Sequence, residues 1–260
     1  MARVTTTLLN VVVLAALAAP SALSVLACSD SGETVAGEKP PNEQDVQPLS
    51  EQEIHRFAHW WWQEQSYFFG NRWLGVQATQ NPLDAWITQE ILYEVRPDFI
   101  VETGTLKGGG AALWAVILEQ VNPAGRVITI DITGDTRDAR KLPIVQRKVD
   151  FLVGSSIDPA TVAEVKKRVA GGRTLVILDS LHTRDHVLAE LRTYAPLVDV
   201  GSYLIVQDTG MWRPLRNHPG GWASDAVDEF LQENDAFAPD RSRERFWLTN
   251  CAGAWLKRAR

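Results

Sequence analysis

Cysteine is almost missing from this chain. There are two, Cys28 and Cys251, and only Cys251 falls in the part that reads as folded, so no disulfide forms within it. A lone cysteine beside a strand behaves as a small buried hydrophobe. Excess positive charge is missing too: the formal net charge is -6, which excludes a broad basic surface for nucleic acid or anionic lipid. The five histidines, His55, His59, His182, His186 and His218, include none that heads a His-x-Asp/Glu pair, which removes an iron and 2-oxoglutarate site. Two glycine motifs are absent as well. Gly104, Gly108 and Gly109 do not fit the Gly-x-Gly-x-x-Gly dinucleotide fingerprint, and no Lys-Ser/Thr pair follows them to hold a triphosphate. No internal repeat is visible.

Apolar runs of membrane length are confined to the start. Arg3 precedes LLNVVVLAALAAPSALSVLA, which ends at Cys28. Residues 1–27 thus read as a secretory signal peptide or a membrane anchor, and Pro20, Ser21 and Ser24 weaken the anchor reading. Val25-Leu-Ala-Cys28 resembles the lipobox of bacterial lipoproteins, in which the cysteine carries the lipid. The expected location is therefore the membrane, through lipidated Cys28, or the cytoplasm if translation starts elsewhere. Residues 28–49 are polar, rich in Pro, Gly and acids and free of aromatics, the composition of a flexible tether.

The folded part opens with a capping box, Ser50 and Glu53, followed by Ile54, Phe57, Ala58, Trp61 and Trp62 at helical spacing. A second helix is expected near Asp84 to Glu94. Residues 50–95 are expected to form an N-terminal helical cap whose tryptophans pack onto the main domain, the other reading of the stacked tryptophans being a sugar or aromatic ligand site. Over 96–260, the apolar strands DFIVET, RVITIDI, DFLVG, TLVILDS and SYLIVQD alternate with helices near 109–121, 158–170, 185–195 and 223–233. That alternation predicts an α/β, doubly wound, Rossmann-like parallel sheet covered on both faces. RFWLTN and GAWLKRA are expected to close it as an antiparallel pair.

Ligands of such a sheet bind beyond the carboxyl ends of its strands. There stand Glu102, Thr103, Gly104 and Gly108 after the first strand, Asp131 after the second and Ser155-Ser156 after the third. Asp179 ends the fourth and Gln207-Asp208 the fifth. Taken singly, each acid reads as a helix cap; four of five strands with an acid at one edge points to a site. Glycines let a ligand approach the backbone, Glu102 offers a carboxylate to an ammonium group, and Asp131 can accept two ribose hydroxyls. An amino acid cation, a ribose and no phosphate together describe S-adenosylmethionine. Asp179, Gln207 and Asp208 form an all-oxygen set suited to Mg²⁺, which would lower the pKa of a substrate hydroxyl. His182, three residues past Asp179, is placed as a general base, and His186 reads as an ordinary helix histidine.

These residues carry a resemblance. RWLGV, NPLDAWITQEILYEVRPDFIVETGT, GRVITIDI, VGSSIDP and VILDSLHTRDHVLAELRTYAPLV resemble the cephalosporin hydroxylase family, also called rhamnosyl O-methyltransferase-like, from about Phe57 to Arg258. The resemblance implies the fold of S-adenosylmethionine-dependent methyltransferases, cofactor binding by the Glu102-Thr-Gly104 turn, Asp131 and Ser155-Ser156, and a divalent metal near Asp179 and Asp208. Catechol-type O-methyltransferases are similar, with a basic residue where His182 stands. The implied activity is O-methylation of a small-molecule, sugar or glycolipid hydroxyl. The competing reading is a membrane-tethered lipoprotein that keeps the fold for binding alone, and the sequence leaves room for a homo-oligomer. Two departures stand out. The family usually has Glu where this chain has Gln207, and GMWRPLRNHPGGWASDA replaces an Asn-Gly-His-Pro turn expected to line the substrate pocket.

Overall fold

The computed structural model describes residues 70–210 and 220–260, with Ser50 and scattered residues of 52–60. The expected signal, lipobox and tether therefore lie outside the described residues, as do most of the tryptophan run and residues 211–219. Among the described residues, no helix is long and apolar enough to cross a membrane. The capping box forms: Ser50 N donates to Glu53 Oε2 at 2.8 Å and Glu53 N to Ser50 Oγ at 3.3 Å.

A short hairpin, β1 (Arg72–Trp73) and β2 (Val76–Gln77), leads into helix α1 (Pro82–Val95). Asn81 caps α1, accepting from Leu83 N, and Pro82 occupies the first turn, where its missing N–H costs nothing. Then β3 (Phe99–Thr103), α2 (Gly109–Val121), β4 (Arg126–Asp131), α3 (Pro143–Lys148) and β5 (Val149–Val153) build one half of the sheet. Helix α4 (Pro159–Val169) crosses to the other half: β6 (Thr174–Leu178), α5 (Arg184–Tyr194), β7 (Tyr203–Val206), α6 (Ala223–Glu233), β8 (Phe237–Pro239) and β9 (Trp255–Arg258). The seven-stranded order is β5-β4-β3-β6-β7-β9-β8, with β9 antiparallel to both neighbours.

Residues alternate between the two faces of a strand, and here each face has its own core. Val101, Ile128, Val176, Leu178 and Leu204 pack with Val165, Leu191 and Phe230 of α4, α5 and α6. Their strand neighbours Ile100, Val127, Leu175, Ile177 and Ile205 pack with Ile91, Trp114 and Val145 of α1, α2 and α3. Strands buried on both sides explain why the sequence shows continuous apolar runs rather than alternation.

The closing pair exists but is built differently from the expectation. β9 lies where GAWLKRA predicts a strand, while its outer partner is Phe237–Pro239, and RFWLTN forms none. The reason is local. Arg243 and Arg245 are drawn to Glu94 and Glu90 on α1, at 2.5 and 2.6 Å, and Trp247 takes a positive φ of 64°, a turn conformation rather than a strand. Helix α3 and the hairpin are also additions to the predicted set.

Asp158 caps α4 by accepting from Ala160 N and Thr161 N. Replacing it by Ala should lower the unfolding free energy by about 1 kcal/mol in urea titrations with unchanged m-value, and Asp158→Asn should retain most of it.

Candidate active site

The chain order reverses between β3 and β6. After β5 the chain returns past β3 to begin the second half, so the loops that come after β3 and β6 diverge and leave a crevice. The two backbones meet closely at its base. Asp179 N donates to Thr103 O at 3.0 Å, and Gly104 sits at φ 89°, where an added Cβ would lie 1.9 Å from Asp179 O. Only glycine fits there.

A cleft of about 670 Å³ opens above this point. Gly104, Asp131, Ser155, Ser156, Asp179, His182 and Asp208 all line it. Among the described residues no lysine or arginine does. Asp131 is held by backbone: Leu106 N donates to Oδ2 at 2.8 Å and Thr133 N to Oδ1 at 3.0 Å. Each oxygen keeps lone-pair capacity for a further donor. Leu106 itself sits at φ 48° and Asp208 at φ 62°. Such left-handed non-glycine backbone costs of order 1 kcal/mol or more and gathers at functional sites.

Asp179, His182 and Asp208 converge. One ligand atom from each lies within 4.8 Å of the others, and His182 Nε2 stands 3.0 Å from Asp208 Oδ2. Burial, then the Asp208 charge, then Glu102 push the Asp179 carboxyl well above the usual carboxylate range. Burial raises Asp208 as well, offset by His182.

Four residues picked from the sequence stand back from the cleft lining. Glu102 shares the face of Ile100, not of Val101, so its side chain runs toward α2. There it accepts from Trp114 Nε1 at 2.8 Å and from Thr129 Oγ1 at 2.6 Å, the latter from its register partner on β4. Burial pushes this carboxyl up to about 7. Thr103 Oγ1 accepts from Asp179 N at 3.3 Å. Gly108 starts α2 at φ 83°, where a Cβ would press on the Ala139 Cβ at 2.8 Å. Gln207 points to Gln80, donating from Nε2 to Gln80 Oε1 at 2.7 Å, and Gln80 Nε2 in turn donates to Asp179 Oδ2 at 2.9 Å. The group gathered beside the two aspartates thus contains His182, while Gln207 reaches Asp179 only through Gln80.

Some residues of the site carried no sequence signal. Gln80 lies in an irregular stretch just before a helix cap. His186, read as a helix histidine, lines the cleft, with Nε2 at 3.2 Å from Ser156 Oγ and 3.1 Å from Ser180 Oγ. Ser180 Oγ donates to Glu190 Oε1 at 2.7 Å, and the other oxygen of this fully buried Glu190 has no partner. The one available clue was helical spacing, which puts His186 and Glu190 on one face of α5.

The profile of the family described as rhamnosyl O-methyltransferase/CmcI matches residues 65–259. The chain belongs to that family. It is a family of S-adenosylmethionine-dependent O-methyltransferases, so the expected fold and enzyme class stand. The rhamnosyl O-methyltransferase of Mycobacterium tuberculosis is 31% identical over 212 residues, covering 77% of this chain and 83% of that protein. That of Mycobacterium leprae is 29% identical over 209 residues, covering 74% and 87%. CmcI solved with Mg and SAM superposes with a TM-score of 0.58 at 18% identity, over 86% of this chain and 88% of that one. CmcI with SAH gives 0.52 at 16% identity, over 74% and 83%. At these identities the likeness to CmcI is one of fold. At the cleft stand the carboxylates Asp131, Asp179 and Asp208, with the Gln207 amide behind Asp179.

The raised carboxyls make stability depend on pH. Between about 4.5 and 7 the folded chain keeps a proton on Glu102 that the unfolded chain has lost, so stability should fall as pH rises through that window and level off above it. Glu102→Gln should flatten this slope by up to about 1.4 kcal/mol per pH unit, measured by urea unfolding from pH 4.5 to 8. An unchanged slope would mean that Glu102 is ionised in the folded state.

Proposed function

We propose that this chain transfers the methyl group of S-adenosylmethionine to a hydroxyl of a small-molecule, sugar or glycolipid substrate, with assistance from a divalent metal. The observation that carries the reading is the charge of the cleft: three carboxylates and no cation among its described lining. Such a lining suits a sulfonium and an ammonium and repels phosphate. Bound there, S-adenosylmethionine supplies an electrophilic methyl carbon.

Asp131 is the group for the ribose hydroxyls, because both its oxygens are oriented by backbone N–H donors and still accept. Ser155 and Ser156 offer hydroxyls at the neighbouring strand end. The Gly104 turn lets the cofactor approach the backbone, with Glu102, Thr103 and Gly108 fixing that turn from behind. His182 is the general base. Its Nε2–H donated to Asp208 leaves Nδ1 as the nitrogen that takes the acceptor's hydroxyl proton as the O–CH₃ bond forms and the S–CH₃ bond breaks. Asp179 faces the same space and orients the acceptor hydroxyl.

The carboxylate oxygens of Asp179 and Asp208, with His182 beside them, fit a divalent ion such as Mg²⁺ in charge and spacing. Bound, it would lower the pKa of the acceptor hydroxyl. Gln207 joins this set only through Gln80. The two mycobacterial relatives act on rhamnosyl groups by their names, which supports a sugar hydroxyl as acceptor. Attachment to a membrane through lipidated Cys28 rests on the sequence of residues 1–28 and extends the same reading.

Calorimetry with S-adenosylmethionine should show binding, weakened about 100-fold or more by Asp131→Ala, since one charged acceptor bonded to two hydroxyls contributes several kcal/mol. Absence of heat from the intact chain, with and without Mg²⁺, would end the proposal. His182→Ala should reduce kcat by about 10²–10⁴ while leaving cofactor affinity within a fewfold, measured by methyl transfer to rhamnosyl acceptors.

A further inference from the structure

Gln80 and Gln207 are both buried, at 7% and 5% exposure, and joined head to tail. A primary amide has one donating end and one accepting end. The chain of bonds therefore has a direction, from Gln207 Nε2 to Gln80 Oε1 and from Gln80 Nε2 to Asp179 Oδ2, at 2.7 and 2.9 Å. Asp179 sets that direction, because a carboxylate oxygen only accepts: Gln80 gives it Nε2, turns Oε1 toward Gln207, and Gln207 answers with its NH₂. The relay is held from outside as well: Asn71 Nδ2 donates to Gln80 O at 3.3 Å, and the next residue, Asn81, donates from Nδ2 to Leu248 O at 2.7 Å.

A carboxylate at 207 could only accept. Gln80 would then have to rotate its amide, giving Nε2 to residue 207 and turning its carbonyl oxygen toward Asp179. Two acceptor oxygens about 3 Å apart repel, and a cation shared by Asp179 and Asp208 relieves that. With Gln207 in place, Asp179 receives an N–H and the site carries one negative charge fewer.

We propose that Gln80 and Gln207 form an amide relay that positions Asp179 and replaces a third carboxylate, so that this site holds a divalent cation weakly and Gln207→Glu alone makes it a tight one. The proposal rests on the metal-assisted reading only for the identity of the ion's place. Gln80 is a positioning residue: it acts through Asp179.

The test uses Mn²⁺ alone, titrated into the intact chain and followed by the electron paramagnetic resonance of the free ion, with the side-chain amide resonance of Gln80 as a second readout, assigned by its loss in Gln80→Leu. Gln207→Glu should tighten Mn²⁺ binding about tenfold or more and shift the Gln80 amide resonance in the metal-free protein. If affinity stays within about twofold, or the resonance does not move, the relay is wrong, even where the parent chain binds Mn²⁺ and metal assistance survives. If the parent binds no Mn²⁺ and Gln207→Glu does, the relay stands and metal-assisted turnover in the parent falls. If neither binds, both fall. Should Gln207→Glu not fold, Gln80→Glu keeps an acceptor for Gln207 and adds the charge beside Asp179; it should tighten Mn²⁺ likewise, and no gain overturns the proposal.

Discussion

Parallel register is the constraint on which the site depends. β3, β6 and β7 run side by side in one direction, pairing Thr103 with Leu178 and Leu178 with Val206. The next residues, Gly104, Asp179 and Gln207-Asp208, therefore leave the sheet together. Their carboxylates, with Glu102 below, are taken from water into a small volume where like charges repel and burial disfavours ionisation. The raised carboxyls of Glu102, Asp179 and Asp208 are one consequence of this crowding. A cleft that favours a cationic ligand is another.

The surrounding structure offsets that crowding with donors. Trp114 and Thr129 serve Glu102, Gln80 serves Asp179, and His182 serves Asp208. Each donor arrives from a different element: α2, β4, the stretch before α1, and the loop after β6. The segment preceding α1 is thus more than a cover. It delivers Gln80 into the site and Asn81 into the cap of α1, and it ties to the far end of the chain through Asn81 and Leu248. A further buried carboxyl, Asp84, is pushed up to about 7 by burial while accepting from Asn250 N at 2.7 Å, so the same junction is polar throughout.

Strand parity shows why the roles of Glu102 and Asp131 part. Both end a strand and both are acidic, and the sequence treats them alike. In the fold, Glu102 is still inside β3, flanked by β4 and β6, and its side chain is enclosed under α2. Asp131 closes β4 where Leu106 and Thr133 supply backbone donors at the surface of the cleft. Similarly, RFWLTN has a strand's composition, yet two arginines in search of glutamates on α1 bend it into turns.

The sequence by itself determined the doubly wound sheet, the strand tips that bear the chemistry, and the family, because apolar periodicity, caps such as Asp158-Pro159 and long motifs are written in residues close along the chain. Tertiary structure alone decided which of those tips face the ligand. It enclosed Glu102, brought His186 to the cleft, and put Gln80 between Gln207 and Asp179, contacts between residues 99 and 127 positions apart. Those arrangements depend on strand order and face, which fix direction in space, and no local pattern of residues encodes that direction.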